Sequence, residues 1–280
     1  MYPELLQLDL PVVGQVTISS FGVMMAIAFL VGYQLLRVQL REVDRDEELA
    51  YDMLLGAVIG GIVGAKLYYV IQHAVGTPAG FFELLTARAG LTWYGGFIGG
   101  ALGVIWAARR RDADLGFVAD LASPVLAISY AIGRVGCFLV GDDYGRPTDS
   151  WIGIAFPEGA PPTTAGSLRR NFNVDIPASV PDEAVLAVYP TQLFEVAIAG
   201  LMFLYLWPRR HHDHRQGWLA GVWMILAGAE RLFIELFRAK DDRIFGPFTV
   251  AQLISVALIA LGAYLVAELH EPEPGTPSAT

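Results

Sequence analysis

Cysteine is all but missing from this chain. Cys137 is the single one among 280 residues, which excludes a disulfide within the chain and leaves the redox compartment unread. Charge is scarce as well: Asp, Glu, Lys and Arg make up 17% of the residues, and 28 acids against 19 bases give a formal charge of −9. No region therefore offers the basic face that a nucleic acid backbone requires. The opening MYPELLQLDL carries no Lys or Arg. Without the basic start of a secretory leader, the first apolar segment is expected to stay in the protein as a helix. Internal repeats are absent too, including the paired halves of many transporters. What the chain has in excess is apolar residues, 54% of the total with a mean hydropathy of +0.47. A soluble domain carries about 45–50%, so this is expected to be an integral membrane protein.

A helix needs about 20 apolar residues to cross roughly 30 Å of hydrocarbon. Seven stretches qualify: 16–36, 49–71, 91–108, 114–140, 187–207, 217–237 and 249–267. The expected fold class is all-α, with seven transmembrane helices in a membrane domain over 1–267, followed by a disordered cytoplasmic tail at 268–280. Short loops rich in Lys and Arg stay on the cytoplasmic side. Arg37, Arg41 and Arg45, then Arg109, Arg110 and Arg111, then Arg209, Arg210 and Arg215 fall together when the N-terminus is outside. That orientation puts the C-terminus inside. The long connection 141–187, rich in Pro, Gly, Thr and Asp, then becomes a small extracytoplasmic head.

Glycines recur every four residues at Gly56, Gly60 and Gly64 and again at Gly95, Gly99 and Gly103. Each run makes a groove that lets another backbone approach, and close helix packing is its plainest meaning. Ionisable residues inside spans are harder to explain, because a charge at the bilayer centre costs about 2.5–3.5 kcal/mol even on lenient scales. Lys66, Arg134, Glu195, Glu230, Arg231 and Glu235 all fall there. Arg231 and Glu235 are four apart and share a helix face, so a structural pair would also account for them. Lys66 could equally snorkel to the interface. Arg134 has no carboxylate at helical spacing in its own span, so its partner must come from another helix or from a ligand. The depths of these groups predict a basic cavity opening toward the outer leaflet, suited to an anionic lipid headgroup.

The run GRVGCFLVGDDYGR (133–146) resembles the signature of the prolipoprotein diacylglyceryl transferases. LTWYGGFIGG (91–100), YPTQLFE (189–195) and RLFIELFR (231–238) agree with further blocks of that family in order and spacing, and the resemblance covers nearly the whole chain. It implies a seven-helix enzyme of the bacterial inner membrane. Such an enzyme moves the diacylglyceryl group of phosphatidylglycerol onto the lipobox cysteine of a prolipoprotein signal peptide and releases glycerol phosphate. Arg134 and Arg231 match the family's two functional arginines, and Glu235 the glutamate after the second. Lys66 stands where arginine is usual. Gln192 and Glu195 match a Gln and Glu pair, Gly133, Gly136, Gly141 and Gly145 match signature glycines, and Asp142 takes the place of a family acid, expected to help hold Arg134 or Arg146. Tyr94 replaces a histidine before Gly95 and Gly96, which join the substrate-binding set. Cys137 and Val140 replace asparagines, and Phe21 a tyrosine.

The implied catalytic set is thus Arg134, Arg231, Glu235 and Tyr94. Lys66, Gly95, Gly96, Gly133, Gly136, Asp142, Gly145, Gln192 and Glu195 are expected to bind substrate. A phosphate ester leaves as a thiol sulfur attacks, so fixed cations around that phosphate would ease its departure. No cofactor or metal is expected. The run His211-His212-Asp213-His214 reads more simply as a solvated loop. Two alternatives remain: a related membrane transferase with another acceptor, and a non-catalytic phospholipid-binding protein.

Overall fold

The structure, a computed structural model, describes residues 2–10, 14–74, 81–86, 92–239, 243–245 and 248–271. It is predominantly helical. Strands β1 (Glu4–Leu10) and β2 (Gly14–Ser19) form an antiparallel hairpin before α1 (Ser20–Glu42). There follow α2 (Glu48–Ala74), α3 (Phe81–Thr86), α4 (Trp93–Arg110) and α5 (Leu115–Val140). Next come β3 (Ile154–Ala155), α6 (Ala165–Phe172), β4 (Ala187–Val188), α7 (Thr191–Leu206) and α8 (Trp218–Glu235). The hairpin β5 (Arg243–Phe245) and β6 (Phe248–Thr249) precedes α9 (Val250–Glu268). A long helix fills each of the seven apolar stretches, and five of them, α1, α2, α5, α7 and α9, are long and apolar enough to cross a membrane. The helix α8 carries three charges, Glu230, Arg231 and Glu235, and α4 is glycine-rich and ends on two arginines. The first apolar stretch begins as strand β2, so its helix starts at Ser20 instead of residue 16. Of the expected tail, residues 272–280 lie outside the described ones.

Local chemistry sets where the helices begin and end. Asp114 Oδ1 accepts from the N–H groups of Gly116 and Phe117 at 2.8 and 3.1 Å, which starts α5. The α9 start is a capping box, with Thr249 Oγ1 accepting from Gln252 N and Gln252 Oε1 accepting from Thr249 N. Gly141 ends α5 at φ 73°, and the N–H groups of Gly141 and Asp142 both return to the Cys137 carbonyl. The Gly141 return is the 5→1 bond of a left-handed helix end, joined by a 6→1 bond from Asp142, and such an end needs a residue tolerant of left-handed φ.

The chain divides into two compact units, residues 33–121 and the remainder. In the first, α2 and α4 lie backbone against backbone. A Cβ at Gly56, Gly60 or Gly64 would collide with the backbone of Gly103, Gly99 or Gly95 respectively, so the two glycine runs are each other's partners. At one end of this unit Arg37 and Arg41 hold Glu47 at 2.8 and 2.9 Å, while Arg111 holds Asp46, Glu48 and Asp52 at 3.1, 2.8 and 2.6 Å.

In the second unit, α8 packs on α9 through Gly221, Gly228, Ser255 and Gly262. Ala127, Met202, Leu206 and Leu219 join α5, α7 and α8 in a buried cluster. Between α5 and α7 the chain builds an ordered module around Tyr144, Phe156, Leu168 and Val188. There Arg169 donates to the carbonyls of Ile176, Pro177 and Val180 and pairs with Asp182, tying the loop back to α6. Leu201, Leu204 and Tyr264 stand exposed along helix faces.

Candidate active site

The signature arginine lies near the end of α5. Arg134 Nη2 is 3.0 Å from Glu195 Oε1 on α7, and its Nη1 is 2.9 Å from Asp143 Oδ2 just beyond the helix. Tyr130, one turn earlier, donates its hydroxyl hydrogen to the same Glu195 Oε1 at 2.7 Å, and its ring lies 5.0 Å beneath the guanidinium. Glu195 is 0% exposed. Its burial is tolerable only because two donors converge on it, since an uncompensated buried charge costs about 3–5 kcal/mol.

The second arginine reaches the same network through α8. Arg231 Nη2 lies 2.7 Å from Glu235 Oε2, and Arg238 Nε approaches that oxygen to 4.0 Å. Arg238 Nη2 also lies 3.6 Å from Asp143 Oδ1, so Asp143 sits between Arg134 and Arg238. Burial works to keep the Asp143 carboxyl protonated, but the two guanidiniums outweigh it and hold the group below its ordinary value. The buried Glu230, 7% exposed, feels the charges of Glu195, Arg134 and Arg231.

These ion pairs do not exhaust the arginines. Arg134 Nε and Arg231 Nη1 are both shielded from solvent and find no acceptor among the described residues. A buried donor left so costs about 1–3 kcal/mol, a cost that a ligand oxygen would remove. Phosphate and carboxylate oxygens suit a guanidinium edge best. Arg134, Arg231 and Arg238 face Asp143, Glu195 and Glu235 three for three, so an anion here would be held by the two open N–H groups and not by surplus positive charge.

A family model described as prolipoprotein diacylglyceryl transferase matches residues 10–268. This chain belongs to that family. Among its relatives is the phosphatidylglycerol–prolipoprotein diacylglyceryl transferase of Xanthomonas oryzae pv. oryzae, 31% identical over 272 residues that span 91% of this chain and 88% of the relative. The protein of the same name from Francisella tularensis subsp. novicida is 27% identical over 265 residues, 90% of this chain and 89% of its own.

The family signature occupies the end of α5 and the turn after it, and several of its residues have a structural reason to be there. A Cβ at Gly145 would come within 2.5 Å of the Phe237 carbonyl, where residues 145 and 238 form a bridge. At Gly136 it would press on Phe21 and Met24 of α1, whereas at Gly133 it would have ordinary room beside Met25. Gln192, fully buried, donates from Nε2 to the Asp142 carbonyl at 2.5 Å, and Thr191 Oγ1 donates to the Asp143 carbonyl at 2.8 Å. Of the two adjacent aspartates, Asp143 and not Asp142 joins Glu195 in gripping Arg134. Asp142 is left with Oδ1 unpartnered, and burial together with the Asp143 charge pushes its carboxyl up to about 6.

Arg134, Arg231, Glu235, Glu195, Gln192 and Asp142 therefore meet within one unit. Lys66, Tyr94, Gly95 and Gly96 belong to the other. Lys66 Nζ lies 5.4 Å from the Tyr69 ring. Tyr94 is 47% exposed, with its ring 6.5 Å from that of Tyr68 and edge-on to Trp93 at 5.3 Å. Gly95 fits against the Gly64 backbone, and Gly96 has ordinary room. Tyr130 and Asp143 escaped the sequence reading of the site, and Arg238 entered it only as the end of the 231–238 block. Tyr130 had a signal, four residues before Arg134 and so on the same helix face.

Proposed function

We infer that this protein is a phosphatidylglycerol–prolipoprotein diacylglyceryl transferase. It takes the diacylglyceryl group of phosphatidylglycerol and joins it to a lipobox cysteine as a thioether, releasing glycerol phosphate. Family membership over residues 10–268 supports the reaction class. The observation that carries the chemistry is the pair of shielded guanidinium donors, Arg134 Nε and Arg231 Nη1, without acceptors among the described residues.

Arg134 and Arg231 hold the phosphate of the lipid. As the glycerol carbon passes from oxygen to sulfur, negative charge grows on that phosphate, and donors already fixed in place stabilise it without reorganising. Glu195 and Glu235 keep the two guanidiniums aimed, and Tyr130 keeps Glu195 aimed in turn. The substrate thiol is weakly acidic, and its thiolate is stabilised by the same cations. Lys66, Tyr94, Gly95 and Gly96 keep the roles that the family resemblance implies for them.

All seven long helices span the bacterial inner membrane, α4 and α8 included, with the N-terminus outside and the C-terminus in the cytoplasm. Support comes from Arg110 over Trp106, Arg209 over Tyr205 and Arg210 over Trp207, pairings that suit helix ends at a headgroup boundary. The module between α5 and α7 is then the external head, beside the site where the signal peptide enters.

The test uses purified protein, vesicles of headgroup-labelled phosphatidylglycerol and a lipobox peptide. Thioether and labelled glycerol phosphate are expected in equal amounts. Label released without thioether would point to another acceptor, and lipid binding without either product to a non-catalytic protein.

A further inference from the structure

We propose that the Asp142 carboxylate accepts the proton of the incoming cysteine thiol. The proposal rests on the transferase reading, which requires a sulfur to lose its proton but leaves the acceptor unassigned. Of the five carboxylates around the arginines, Asp143, Glu195 and Glu235 already face guanidiniums at 2.7–3.0 Å. An opposite charge at that range favours the ionised form and makes a poor base. Glu230 is sealed at 7% exposure. Asp142 is only partly buried and enters no ion pair among the described residues; its Oδ1 is shielded and unpartnered, so a thiol would meet the carboxyl on the side where Cys137 lies.

Its position is fixed. The left-handed turn at Gly141 sets the chain direction, and α7 clamps two successive carbonyls, those of Asp142 and Asp143, through Gln192 and Thr191. A thiol already rests beside it: Cys137 is a hydrogen-bonding neighbour of the Asp142 carboxyl, and its Sγ lies 3.6 Å from Arg134 Nη1. A sulfur held against Asp142 can therefore also lie in contact with the guanidinium that grips the phosphate. The groups that face Asp142 are Asp143, Arg134 and Cys137. Burial and Asp143 raise its proton affinity, the Cys137 hydrogen bond and then Arg134 oppose them, and the outcome of about 6 leaves it ionised at neutral pH yet basic enough to take a proton.

The step balances. The thiol proton passes to an Asp142 oxygen, the sulfur lone pair forms the carbon–sulfur bond, and the carbon–oxygen bond to phosphate breaks with its electron pair going to the phosphate. Asp142 then gives its proton to the departing glycerol phosphate.

The experiment compares thioether formation from a cysteine lipobox peptide with that from the selenocysteine peptide, whose selenol ionises without help. For Asp142→Asn, kcat should fall about a hundredfold with the cysteine peptide and only a few-fold with the selenocysteine peptide. Asp142→Glu should restore most of the rate. The acid limb of the wild-type pH profile should flatten in Asp142→Asn. Equal losses with both peptides, or an unchanged kcat, would overturn the assignment while leaving the transferase reading intact. A wild-type protein that modifies neither peptide would overturn both.

Discussion

Arg134 Nη2 and the Tyr130 hydroxyl converge on one oxygen, Oε1 of Glu195, at 3.0 and 2.7 Å. Tyr130→Phe keeps the ring beneath the guanidinium and deletes only the hydroxyl. The expected stability loss is about 1 kcal/mol, the usual worth of one hydrogen bond, read by thermal unfolding in detergent. A several-fold lower kcat at unchanged KM for the lipid should accompany it. A wild-type kcat would show that the hydroxyl does not hold Glu195 in place.

Removing Glu195 itself is a larger change. Glu195→Ala leaves Arg134 with Asp143 alone, and loss of one partner of a buried pair costs about 3–5 kcal/mol. Glu195→Gln retains an oxygen for Tyr130 and should recover part of the stability but little of the activity. Equal melting temperatures for Glu195→Ala and wild type would contradict the buried pairing.

The two glycine runs make a sharp contrast with Gly200. Gly60→Leu or Gly99→Leu would drive a side chain into the facing backbone, whereas nothing lies within 4 Å of a Cβ at Gly200. The first two should fail to give a folded, monodisperse protein. Gly200→Ala should melt at or above the wild-type temperature, since alanine is favoured over glycine in a helix by about 1 kcal/mol. Folded Gly60→Leu protein with a wild-type melting temperature would rule out the close α2–α4 contact.

Asp142 gives a pH signature. Its carboxyl rises from 3.8 to about 6 on folding, so the folded state holds the proton more tightly than the unfolded chain does. Its contribution to stability is present in full below 3.8 and is lost as the pH rises through about 6. Asp142→Asn should remove that slope and leave the protein at least as stable as wild type at pH 7, even as activity falls. Melting temperatures measured from pH 4 to 7 decide it, and parallel curves for the two proteins would contradict the shift.

The helices were legible because a span needs a long apolar run, and such runs stand out against any background. The hairpin β1–β2 was not, since its second strand opens the first apolar stretch and was absorbed into it. The glycine spacing announced two grooves without saying that Gly56, Gly60 and Gly64 meet Gly103, Gly99 and Gly95. In the site, Arg134, Glu195, Arg231 and Glu235 were readable as charges where lipid should be. Asp143 was not, because its aim at Arg134 follows from two left-handed residues, Gly141 at φ 73° and Asp143 at φ 53°. That turn geometry, with no periodic pattern behind it, decides which of two adjacent aspartates meets the arginine.

The central claim is that Arg134 and Arg231 grip the lipid phosphate as it departs. Single-turnover thioether formation by Arg134→Lys and Arg231→Lys, each shown to be folded by its melting curve, tests it most directly. Lysine keeps the charge but cannot serve a carboxylate and a phosphate with one planar fork, so both rates should fall by at least about a hundredfold. Wild-type rates in both variants would contradict the account.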